Sequence, residues 1–111
     1  MRHVRAVLVA GLVVLIVAMS ATLALAATKH VGVKKVGSRY HWNPTHLTIK
    51  KGDTVRWSWK GRVPHNVTGP GFHSKTTNSL TYSHKFAKAG TYTVVCTIHK
   101  ALGQRMKITV R

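Results

Sequence analysis

The chain has 111 residues, with 18 Lys plus Arg, one acidic residue (Asp53), eight His and one Cys, giving a formal net charge of +17. That length holds one small domain with no cleft between lobes. A lone carboxylate excludes paired-carboxylate catalysis and a carboxylate cage for calcium. A lone Cys excludes an internal disulfide, so a packed core or a bound ion must hold the fold.

In chain order, the first segment reads as an export leader. Arg2 and Arg5 precede an apolar run over residues 6–19, and Ala24-Leu25-Ala26 supplies the small residues that a signal peptidase reads. This pattern predicts a signal peptide over residues 1–26, cut between Ala26 and Ala27. Residues 6–27 are interrupted only by Ser20 and Thr22 and are long enough to span a bilayer, so an uncleaved anchor stays open. Either way the domain is expected outside the cytoplasm, periplasmic or extracellular. Residues 27–111 keep 16 basic residues and Asp53, a net charge of +15.

Those residues read as short strands and turns. A weak strand around Val31 and Val33 leads to a polar bend at Gly37-Ser38-Arg39. Leu47 and Ile49 alternate with Thr48 and Lys50, and Lys51-Gly52-Asp53 turns the chain into Val55, Trp57 and Trp59. Tyr82, His84 and Phe86 form a third alternating run, which ends in Lys88-Ala89-Gly90. Tyr92, Val94 and Cys96 share one face of the next strand. The last strand sets Gln104, Met106, Ile108 and Val110 against Arg105, Lys107, Thr109 and Arg111. Period-two patterning bounded by Gly, Asp and Pro, with no 3.6-residue period, predicts an all-β protein. Six to eight short strands in residues 27–111 imply an antiparallel Greek-key β-sandwich.

Three places carry donor chemistry: Cys96-Thr97-Ile98-His99 at a strand end, Pro64-His65-Asn66-Val67, and Gly103-Gln104 where the last strand begins. A thiolate, two imidazoles and a weak fourth donor make a mononuclear copper electron-transfer set, so His65, Cys96 and His99 point to copper more strongly than to zinc. Taken singly, Cys96 would read as a buried apolar side chain and each His as a turn residue.

The ordered combination resembles the plastocyanin-like cupredoxins, the small blue copper proteins. Trp42-Asn43-Pro44, Leu47-Thr48-Ile49, Gly52-Asp53-Thr54-Val55 and Trp57 match the first half of their pattern. Pro64 to Val67, Phe86, Ala89-Gly90-Thr91-Tyr92 and Cys96 to His99 match the second. The resemblance implies a cupredoxin domain over residues 27–111. It also implies one type 1 copper ion held equatorially by His65, Cys96 and His99, with Asn66 bracing the ligand loop through hydrogen bonds. The family's usual axial Met slot, five residues after the second His, holds Gln104 here, as in the stellacyanin subgroup. Met106 shares its strand face and is the alternative, about 6–7 Å further along at standard strand rise.

His30, His41, His46, His73 and His84 lack such context and are expected at the surface, with His84 near the core edge. The net charge predicts docking to an acidic redox protein or to an anionic membrane or wall surface. Export and the absence of a binding motif argue against nucleic acid. The leading function is a monomeric, non-enzymatic shuttle of single electrons. A copper carrier on the same fold and a metal-free cationic binding module are the alternatives.

Overall fold

The computed structural model describes residues 25–111, so nearly all of the expected leader and anchor lies outside the described residues. Nine strands follow in order. They are β1 (Thr28–Val36), β2 (Arg39–Asn43), β3 (His46–Ile49), β4 (Thr54–His65), β5 (Thr68–Gly69), β6 (Phe72–His73), β7 (Thr77–Lys85), β8 (Gly90–Val95) and β9 (Arg105–Val110), with one 3-10 turn at Lys100–Leu102. Among the described residues no helix is long and apolar enough to cross a membrane.

The alternation in the sequence explains the strand faces. Val55, Trp57 and Trp59 of β4 are buried while Arg56, Ser58 and Lys60 are exposed, and Met106, Ile108 and Val110 of β9 point inward. Each side chain fully buried this way contributes roughly 1.5–3 kcal/mol of transfer free energy. Two sheets enclose the core, one in the order β2-β1-β4-β7 and the other β3-β9-β8-β5-β6. The core joins Val31, Trp42, Trp57, Val67, Phe86, Val94 and Ile108 across both layers.

The expected sandwich is present, with two differences of detail. The pairings β1 with β4 and β3 with β9 are parallel. Each connection passes through the opposite sheet, by β3 between β1 and β4 and by β4 and β7 between β3 and β9, which lets the chain return in the same direction. The strand count exceeds the expected six to eight because β5 and β6 are two-residue strands, too short to show a period.

Strand β4 runs the length of the domain and sets its two ends. At its start, the Asp53 carboxylate accepts hydrogen bonds from the Ala27 amide (2.8 Å) and the Lys50 amide (2.9 Å). These two bonds, the first the stronger influence, hold its carboxyl below the usual carboxylate range. At its other end, past a register shift between Lys60 and His65, β4 delivers His65 to the edge of the core.

Candidate metal centre

The centre lies where β4, β8 and β9 meet at one end of the sandwich. Val94 faces the core, β8 stops at Val95, and Cys96 continues on the same face, fully buried. The chain then makes a tight loop. His99 N donates to Cys96 O (3.2 Å), Gln104 N to His99 O (3.2 Å) and Cys96 N to Gln104 O (3.0 Å). Gly103 adopts the left-handed conformation (φ 92°) that ends the 3-10 turn and drops the chain into β9. A Cβ there would stand 3.1 Å from Cε1 of His41, so any other residue would crowd that ring as well as strain the backbone.

These segments bring three donors together. His65, Cys96 and His99 each offer one ligand atom, and the three atoms lie within 4.8 Å of one another. Cys96 Sγ is 3.5 Å from His99 Nδ1. Gln104, fully buried, places Oε1 3.0 Å from His65 Nδ1 and 3.0 Å from His99 Nδ1. Its Nε2 has no hydrogen-bond partner, so the amide is engaged through its oxygen alone. Met106 is buried on the same strand face, but its sulfur accepts a hydrogen bond from Trp57 Nε1 at 3.2 Å. Burial pushes His65 below the ordinary histidine range; the Gln104 hydrogen bond opposes this and the nearby His99 adds to it. A neutral imidazole is the form that ligates metal.

The donors fit a soft cation. As hydrogen-bonded, the Nδ1–H groups of His65 and His99 can each donate to Gln104 Oε1. In the alternative tautomer, with both rings protonated on Nε2, two nitrogen lone pairs, the amide oxygen and the sulfur converge as metal donors with no carboxylate among them. Such a set suits copper better than calcium or magnesium. The site is able to bind one copper ion.

Asn66 ties the two halves of the centre together. Its Oδ1 accepts from Thr97 N (3.1 Å) and Thr68 Oγ1 (2.9 Å), and its Nδ2 donates to Thr76 Oγ1 (3.0 Å) and Thr97 Oγ1 (2.6 Å). Behind it, Val67 N donates to Ser74 Oγ (2.8 Å) and Ser74 N to Val67 O (2.8 Å). The Tyr40 ring lies against both imidazoles, with centroids 5.1 Å from His65 and 5.0 Å from His99. Trp59 lies 6.2 Å from His65. Sequence inspection missed Tyr40, Ser74 and Thr97. Tyr40 alternates with Trp42, a signal that marks a strand face without revealing which neighbours it meets. Of the remaining histidines, His30, His46 and His73 are exposed and His41 is half-buried beside Gly103. His84 is half-buried and stacks on Phe72 at 4.0 Å.

A two-sheet β-sandwich with His, Cys and His gathered at one end defines a cupredoxin. The chain belongs to the plastocyanin/azurin family of copper-binding proteins, whose family model matches residues 29–111. It is 35% identical to amicyanin-alpha of Methylorubrum extorquens over 98 residues, covering 74% of this chain and 82% of that one. Plastocyanin of Scenedesmus fuscus is 33% identical over 84 residues, covering 63% and 86%. The purple cupredoxin of Nitrosopumilus maritimus shares the fold at a TM-score of 0.63 and 24% identity, over 75% of this chain and 99% of that one. A Met-to-Gln mutant of amicyanin in the Cu(I) state superposes at a TM-score of 0.60 and 30% identity, over 76% and 82%.

Proposed function

We propose that the protein is a type 1 copper electron carrier working outside the cytoplasm, with His65, Cys96 and His99 as equatorial ligands and Gln104 as the axial ligand. The observation that carries this is the convergence of His65 Nδ1, Cys96 Sγ, His99 Nδ1 and Gln104 Oε1 on one small volume. Copper would supply the one-electron couple. The chain's own residues bury the thiolate, fix both imidazoles and exclude water. Engagement of the Met106 sulfur by Trp57 favours Gln104 over Met106. Complete burial of Cys96 and Gln104 favours retention of the metal over its delivery to another protein, because a carrier must expose donors for exchange.

A harder oxygen donor favours Cu(II) and lowers the reduction potential relative to an axial thioether. Residues 1–26 are read as a cleaved leader and residues 27–111 as a monomeric domain. The cationic surface is read as meeting an acidic redox protein or an anionic membrane or wall surface. The deciding measurement is a joint visible and electron paramagnetic resonance spectrum of the Cu(II) form. Intense thiolate-to-copper charge transfer is expected, and a colourless copper-loaded protein would refute the assignment. Gln104→Met is expected to raise the potential; an unmoved potential removes Gln104 from the coordination sphere.

A further inference from the structure

The first sheet opens beside the metal centre. Ladder pairing between β1 and β4 stops at Val31 and Trp57, although β1 continues to Val36 and β4 to His65. Their divergence leaves a cavity of about 600 Å³ lined by Lys35, Lys60 and Arg62 and reaching Tyr40, Trp59 and His65. This lies within the roughly 300–1,000 Å³ that ligand sites span. Lys35 Nζ stands 5.7 Å from the Tyr40 ring centroid, so one cation already leans over the aromatic wall. No carboxylate lines the cavity, and the chain's single acid, Asp53, is occupied at the start of β4. Three cations on a concave wall without a counter-charge focus a positive field.

The same cavity exposes bare backbone. Gly32 and Gly61 both line it, and a Cβ on either would meet nothing within 4 Å. Neither has a positive φ, so a side chain fits there without strain. Where β1 and β4 part, the facing strand edges lack ladder partners, and an extended polypeptide can hydrogen-bond to such an edge. A planar membrane surface cannot enter a concave site of this kind, whereas an extended chain can.

We propose that this cleft is the docking site for an acidic, extended segment of a protein redox partner, which it brings against the His65 side of the centre. That the partner is a redox protein rests on the electron-carrier assignment; the binding itself needs no copper.

The test is titration of the isotope-labelled full-length protein, metal-free and in the Cu(I) form, with a hexaglutamate peptide, followed by amide NMR shifts. Shifts centred on Lys35, Tyr40, Lys60, Gly61 and Arg62 are expected. Replacing Lys35, Lys60 and Arg62 together by Ser should weaken binding about tenfold at low salt, while replacing Lys51, Lys85 and Lys88 together should change it less than about twofold. The charge-neutral Gly61→Phe, checked by circular dichroism for retained fold, should also weaken binding by filling the cleft. Equal losses in the two triple variants, or shifts centred on Lys100 and Arg105, overturn the proposal. So does perturbation of the cleft by phosphatidylglycerol vesicles but not by the peptide. The visible spectrum is scored separately. A colourless protein that binds the peptide in the cleft fails the copper assignment alone, and a blue protein that does not bind it fails the cleft alone.

Discussion

The metal centre is assembled from two segments that are held in different ways. The stretch from Cys96 to Gln104 closes on itself through backbone hydrogen bonds and a left-handed glycine, and brings three of the four converging side chains in one loop. His65 comes from the end of β4 and is tied to that loop by the side chain of its neighbour Asn66. One half is therefore built by local chain geometry and the other by long-range cross-links. The first should resist side-chain truncation and fail at Gly103. The second should fail at Asn66.

The largest effect is expected at the cross-link. Asn66→Ala removes four hydrogen bonds to Thr68, Thr76 and Thr97 and should cost about 2–3 kcal/mol. Urea unfolding of the metal-free protein measures this, and a loss below that of a surface truncation would mean the two segments are independently held. Next comes Gly103→Ala, which should cost about 1–2 kcal/mol because an L-residue is forced into the left-handed region. Its contact would push on His41, so the copper spectrum should change along with the stability.

Met106→Leu sharpens the comparison by acting inside the core without touching either segment's donors. It leaves the buried Trp57 N–H without its sulfur acceptor, for about 1 kcal/mol, and should leave the reduction potential nearly unmoved. A large shift in potential would return Met106 to the axial position.

The smallest effect sets a baseline away from the centre. Burial against Phe72 and Phe86 pushes His84 below the ordinary histidine value of about 6.5. A depressed folded-state value means the unfolded chain binds the proton first. The contribution of His84 to stability is therefore complete above pH of about 6.5 and is lost as the pH falls below it. Chemical unfolding of His84→Gln across pH 5 to 8, an interval of about 1.5 units on either side of that value, should show a flatter profile than the parent.

The loop half of the centre was legible in the sequence because its chemistry is local. Cys96, His99 and Gln104 follow one strand end within nine positions, and strand parity places Cys96 and Gln104 inward. The His65 half was legible only through the ordered resemblance, since a lone Pro-His-Asn-Val carries no geometry. Period-two patterning located β3, β4, β8 and β9 but could not say that two pairings run parallel, because alternation records which face is buried and not the direction of the partner. It also could not show Tyr40 lying across both imidazoles, or β1 parting from β4. Those depend on how the β1–β2 hairpin leans over the end of the sandwich.

The far end of β4 holds a consequence of its own. One of the two nitrogens that donate to Asp53 belongs to Ala27, the residue that follows the expected cut. In the uncut chain that nitrogen is a neutral amide. Cleavage at that point would make it an ammonium group beside the protein's one side-chain carboxylate, turning a hydrogen bond into an ion pair. Maturation would then act as a latch, with the proteolytic event itself fastening the new chain end to the turn that starts the longest strand.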